Sequence, residues 1–160
     1  MSTENTETAN HEEALPRLDY YKAFKLGLDA QIALGKVVNQ SGLEASLMEL
    51  VKMRASMLNG CSYCIDMHSK DAIKGGETTQ RLFALNAWRE TPFFTPRERA
   101  ALQWTEAITN IQQGHAPDFV YNEMRAHFDE AEAVKLTLAI TTINTWNRIA
   151  IAFRPRLDHK

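Results

Sequence analysis

Two cysteines are the chain's entire thiol complement, and they stand three residues apart in Cys61-Ser62-Tyr63-Cys64. His68 lies one helical turn beyond the second, and Glu49 precedes the pair. Cysteine at this spacing beside a titratable base can cycle between dithiol and disulfide, or it can hold a metal. The thiolate is the nucleophile, and a thiol with an ordinary pKa near ~8.5 is only about 3% ionised at pH 7. Making it mostly thiolate takes a shift of roughly two units, or about 2.7 kcal/mol. An exposed helix N-terminus contributes about 0.3–1 kcal/mol, so a partner is needed. His68 can serve by taking the proton or by standing as imidazolium beside the sulfur, and Glu49 can fix its tautomer and stabilise its charge. In thioredoxin-like CxxC sites the first cysteine is the usual attacker. The adjacency of His68 assigns attack to Cys64 here, with Cys61 resolving.

These residues can cooperate only if the chain turns back on itself. In one straight helix Glu49 and Cys61 would stand roughly 18 Å apart along the axis and on different faces. Asn59-Gly60 supplies a stop, because glycine accepts the left-handed conformation that follows a helix end. A helical hairpin there puts Glu49, ten residues before the turn, level with His68, about nine after it. Cys64 then shares a face with His68 by the i, i+4 rule, and Cys61 falls in the first turn, within disulfide reach of Cys64.

The apolar period is helical almost throughout, which predicts an all-α single domain of about six helices. Residues 1–13 read as a flexible tail and 14–157 as the domain. An imperfect stripe over Leu15–Asn39 predicts a first helix, with Gly27 and Gly35 marking a close contact or a break. Ser41-Gly-Leu-Glu44 has the form of a capping box for the next. Helices follow over about 61–73, 78–88, from Thr95-Pro-Arg-Glu98, over 117–128, and from Asp129-Glu-Ala-Glu132 to about Phe153, before Pro155. The last is apolar nearly all round, as befits a helix at the centre of a core or in a subunit contact.

Composition narrows the function classes. The chain has 160 residues, a net charge of −2 and no basic cluster, which speaks against a nucleic-acid or anionic-membrane partner. Its first dozen residues are polar and acidic, unlike a signal peptide, and no apolar run is long enough to span a bilayer. These features predict a cytoplasmic protein, where a CxxC is more often catalytic or metal-binding than a structural staple.

Glu49, eleven residues, Cys61-x-x-Cys64, three residues and His68 together resemble the core signature of the alkylhydroperoxidase D family, within the carboxymuconolactone decarboxylase-like superfamily. The flanks Glu49-Leu-Val-Lys-Met-Arg54, Asn59-Gly-Cys-Ser-Tyr-Cys-Ile-Asp-Met-His68, Thr95-Pro-Arg-Glu-Arg-Ala-Ala101 and Asn144-Thr-Trp-Asn-Arg148 are similar too, so the resemblance covers roughly residues 18–155. It implies an all-helical homo-oligomer, a trimer or hexamer, that reduces a small-molecule hydroperoxide to alcohol and water without a cofactor. It implies that Cys64 attacks peroxide, Cys61 closes the disulfide, Glu49 and His68 relay protons, and an external dithiol, of thioredoxin or lipoyl type, restores the thiols. One position departs: Tyr63 stands where the fullest form of the motif has an additional histidine, which removes a base from the relay. The superfamily's decarboxylases lack the cysteine pair.

Two other readings use the same residues. A non-catalytic redox sensor or scaffold would use the Cys61–Cys64 disulfide to change assembly. A zinc site could draw on both thiolates, His68 and Glu49, although a second CxxC or HxxxH is missing. Nearby, Met48, Met53, Met57 and Met67 are expected to pack a flexible apolar pocket. Trp88, Trp104 and Trp146 are expected in the core or an interface, and Arg148 is expected to pair with Glu98 or Glu106. His11, His115, His127 and His159 have no ligand spacing and read as surface residues.

Overall fold

The computed structural model describes residues 16–157, so the expected tail at 1–13, together with His11 and His159, lies outside the described residues. Within them the chain is all-α and single-domain, as expected. The α-helices are α1 (Tyr20–Ala23), α2 (Lys25–Asn39), α3 (Ala45–Asn59), α4 (Ser62–Lys74), α5 (Thr79–Ala84), α6 (Pro96–Thr109), α7 (Asp118–His127) and α8 (Glu130–Phe153). A 3-10 segment, Leu85–Glu90, continues α5.

Helix starts follow the local chemistry wherever a side chain can cap. Thr95 and Asp129 each accept from the backbone N–H three residues on, while Glu98 and Glu132 reach back to the N-cap N–H. The Ser41 capping box does not form. Gly42, at φ +93°, bends the chain away, α3 starts at Ala45, and Glu44 turns its carboxylate to Arg97 instead (Nε···Oε1 2.8 Å). Ser41 Oγ is left buried without a partner.

The single helix expected over 15–39 is two. The break falls at Phe24 (φ −146°, ψ 66°) and not at a glycine. Gly27 is a close contact: the Phe24 ring lies where a Cβ on Gly27 would sit.

The core has two main parts. One joins Val38, Leu47, Met48, Val51, Trp104 and Leu136, and the other joins Leu50, Met53, Leu85, Trp88 and Leu102. Helix α8 runs through the middle, packing against α2, α3, α4, α6 and α7, as its near-continuous apolar surface predicts. The methionines divide: Met48 and Met53 fill the two core regions, Met57 packs on the second, and Met67 alone reaches the cavity described below. Arg148 pairs with neither expected glutamate but donates to Asn144 O and Oδ1 (3.0 and 2.8 Å). Glu98 is taken by Arg81, and Glu106 by Arg54, Arg89 and the Trp88 indole. No helix among the described residues is long and apolar enough to cross a membrane.

Candidate active site

The turn at Gly60 decides the geometry. Gly60 adopts φ +68°, ψ 32°, the left-handed conformation that ends α3, and α4 begins two residues later, packed back against α3. Cys61 is the N-cap of α4, its Sγ accepting from the Cys64 N–H at 3.3 Å. Cys64, His68 and Ala72, four residues apart, form the buried face of α4.

The hairpin brings the sequence-predicted residues together. His68 Nδ1 lies 2.9 Å from Glu49 Oε2, and Cys61 and Cys64 are joined as a disulfide with Cα atoms 5.4 Å apart. Both cysteines are almost inaccessible, at 1% and 2% exposure, but they differ in outlook. Cys64 lines a cavity of about 260 Å³ together with His68 and Ala150, whereas Cys61, in the same buried cluster as Cys64 and Ala150, is not part of its lining.

Several members of the site were not singled out from sequence. Lys52 donates to Glu49 Oε1 (2.8 Å) and to Asn39 Oδ1 (3.1 Å) and also lines the cavity. Its position three residues after Glu49 on one helix was the available signal. Burial works to raise the Glu49 pKa, but the hydrogen bonds from His68 and Lys52 outweigh it and hold the carboxyl below its ordinary value. Trp146, expected in the core or an interface, lines the cavity with Tyr63 and Tyr20. Trp88 and Trp104 are buried as expected.

The Asn144-Thr-Trp-Asn-Arg148 segment has a positioning job that its composition does not announce. Asn59, the last residue of α3, donates from Nδ2 to Asn144 Oδ1 (2.9 Å) and Asn147 Oδ1 (2.8 Å). Asn147 donates in turn to Ser56 Oγ (3.0 Å), and Asn144 to Thr109 Oγ1 (3.0 Å). These bonds tie the residue before the turn to α8, so the helix start that carries the disulfide is fixed from behind.

The arrangement does not build the Cys₂His zinc site. Both sulfurs are in the disulfide, and among the described residues the acidic, histidine and cysteine side chains close enough to share an ion are Glu49, His68 and Asp71, with ligand atoms within 4.8 Å of one another. The Lys52 ammonium on Glu49 works against a cation there.

A model of the carboxymuconolactone decarboxylase family matches residues 26–107. YdfG of Bacillus subtilis (strain 168), an uncharacterized protein, is 44% identical over 144 residues, covering 90% of this chain and 98% of its own. The chain belongs to that family. Among solved structures, a protein of unknown function from Agrobacterium tumefaciens, described as a candidate antioxidant-defence protein AhpD, is 43% identical. It superposes with a TM-score of 0.89, covering 91% of this chain and all of that one. The resemblance to the alkylhydroperoxidase D family within that superfamily is therefore borne out. The debrominase Bmp8 shares the fold at 22% identity and a TM-score of 0.76, over 86% of this chain and 73% of its own.

Proposed function

We propose that this carboxymuconolactone decarboxylase family member is a thiol peroxidase that reduces organic hydroperoxides through a Cys61/Cys64 cycle. One observation carries the reading: Cys64, within bonding reach of Cys61, opens onto the same cavity as His68, whose Nδ1 is bonded to Glu49. Only the attacking cysteine needs to meet peroxide, and Cys64 is the one that lines the space.

In the reduced protein His68 accepts the Cys64 proton, with Glu49 stabilising the imidazolium. The thiolate attacks the outer oxygen of ROOH, the O–O bond breaks, and Cys64 becomes a sulfenic acid. The proton held on His68 goes to the departing alkoxide, giving ROH. The Cys61 sulfur then attacks the sulfenic sulfur, its proton leaves with the hydroxide as water, and the disulfide forms. An external dithiol supplies two electrons and two protons to reopen it and is itself oxidised to a disulfide. Lys52 keeps Glu49 ionised, which keeps His68 oriented.

The reading includes a reducing, cytoplasmic setting and assembly into a trimer or hexamer. Exposed Leu26, Val37 and Phe83 offer apolar surface for such assembly, which sedimentation equilibrium measures. The decisive assay follows consumption of tert-butyl and cumene hydroperoxide with several dithiol donors. Cys64→Ser abolishes turnover, and Cys61→Ser accumulates a sulfenic acid that dimedone traps. Undiminished peroxide consumption by both variants would sink the proposal. Negligible turnover with every donor, but a change of oligomer on oxidation, would favour the redox-sensor reading.

A further inference from the structure

We propose that Tyr20 is a specificity-determining residue, and that the cavity it walls selects aryl-substituted hydroperoxides over small alkyl hydroperoxides and hydrogen peroxide. The reaction rests on the peroxidase reading above; the preference for an aromatic ligand rests on the cavity alone.

Tyr20 belongs to α1, outside residues 26–107 that the family model matches. No residue of α1 is fully buried, so the main core does not fix its position. It is held by the end of α8. The Arg17 N–H donates to Phe153 O (3.0 Å), Arg17 Nη1 donates to Ala152 O (3.0 Å), and the Tyr20 ring stacks on Phe153 with centroids 5.7 Å apart and planes 28° apart. The consequence is that Tyr20 lines the same cavity as Cys64. Tyr63 lines that cavity too, and partial burial, followed by the nearby Tyr63 and Asp19, raises the Tyr20 pKa.

Three aromatic residues from three elements thus line this space: Tyr20 from α1, Tyr63 from α4 and Trp146 from α8. Val38 and Ile143 add aliphatic wall, and Met67 adds a thioether, a group that makes favourable contacts with aromatic rings. Aromatic side chains attract a further ring edge-on or offset, beyond what its buried area contributes. Size agrees: a dry cavity of about 150 Å³ holds benzene, and this one has about 260 Å³. That leaves room for a ring and a short substituted carbon carrying the O–O group toward Cys64. A tert-butyl group leaves the ring-lined part unfilled, and hydrogen peroxide uses none of it.

The test has a binding arm and a turnover arm on the full-length protein. In the first, calorimetry on the oxidised protein compares 2-phenyl-2-propanol, the alcohol that cumene hydroperoxide would yield, with tert-butanol. The aryl alcohol is expected to bind at least tenfold more tightly. Tyr20→Ala weakens it about tenfold, while Tyr20→Phe stays within twofold. In the second, Tyr20→Ala lowers kcat/KM for cumene hydroperoxide about tenfold and leaves tert-butyl hydroperoxide and hydrogen peroxide within twofold. Tyr20 is half-buried and no residue of α1 is fully buried, so Tyr20→Phe should melt as the wild type does and Tyr20→Ala should stay folded with a slightly lower Tm, which a thermal scan checks. If the wild type turns over no peroxide but the binding differences hold, the peroxidase reading falls and the cavity assignment stands. Equal binding of the two alcohols, an aryl affinity indifferent to Tyr20→Ala, or an equal loss for all three peroxides overturns the assignment.

Discussion

The hairpin of α3 and α4, which carries Glu49, Cys61, Cys64 and His68, is fixed by buried side-chain hydrogen bonds to α8, whereas α1, which completes the cavity wall, rests on two Arg17 bonds and one ring stack. Asn147 and Ser56 are wholly buried, but no residue of α1 is, Tyr20 being only half-buried. The difference separates two tasks. Residues that exchange protons and electrons need fixed geometry, because a small displacement changes the reaction rate steeply. A wall that only shapes the ligand tolerates looser attachment, and its residues can change without disturbing the chemistry behind them.

The largest effect should come from the hairpin's charged pair. Glu49→Gln keeps the size of the side chain but removes the charge opposite His68, and kcat/KM for hydroperoxide should fall about 100-fold, within the range of acid–base contributions. The same variant carries a pH signature in stability. The folded Glu49 pKa is depressed, so its stabilisation is present above the unfolded value, near ~4.3, and is lost as pH falls through the folded value. The stability gap between wild type and Glu49→Gln, from urea melts, should therefore be full at pH 6–7 and shrink on acidification. A gap that widens at low pH would remove the ion-pair account of Glu49. Next in size, Asn147→Ala leaves the buried Ser56 hydroxyl without its partner and opens a gap beside it, while Asn59 Nδ2 keeps Ala55 O and Asn144 Oδ1. That should cost about 2–3 kcal/mol, or roughly 4–10 °C in Tm. A loss below 1 kcal/mol would show that the turn does not depend on α8.

The hairpin was also the more legible of the two regions. Gly60 is a local signal with a local outcome, and once it reverses the chain, the 49–61–64–68 spacing leaves little freedom. Caps at Thr95 and Asp129 were legible for the same reason. Ser41 shows the limit: its capping pattern is intact in sequence, but Gly42 bends the chain and Arg97, 53 residues beyond Glu44, claims that carboxylate. The roles of Asn144 and Asn147 depend on Asn59, 85 and 88 residues away, and no periodicity carries that information. Tyr20 was invisible as a site residue because the break at Phe24 and the clamp on Phe153 are both tertiary. Residues were legible where their partners lie within a turn or a hairpin, and illegible where distant elements supply them.

On the looser wall, effects should be small. Arg17→Ala removes one solvent-exposed hydrogen bond to Ala152 and should change stability by less than about 0.5 kcal/mol. Amide exchange in residues 20–23 should nevertheless quicken while exchange in α3 and α4 stays unchanged. Uniform quickening would show that α1 and the hairpin open as one unit, which would abolish the distinction between the walls.

Thr142, on the α8 side of the cavity, offers the finest test. Its hydroxyl is buried without a hydrogen-bond partner, and such a group costs stability unless water reaches it. Thr142→Val keeps the branched shape and deletes the polar atom. In a dry cavity it should raise stability by about 0.5 kcal/mol and leave 2-phenyl-2-propanol binding intact. A loss of 1 kcal/mol or more in the same urea melts would mean that the hydroxyl holds ordered water inside the cavity. The ring-lined space would then be wet before substrate arrives, and the affinity of an aryl group for it would have to include the displacement of that water.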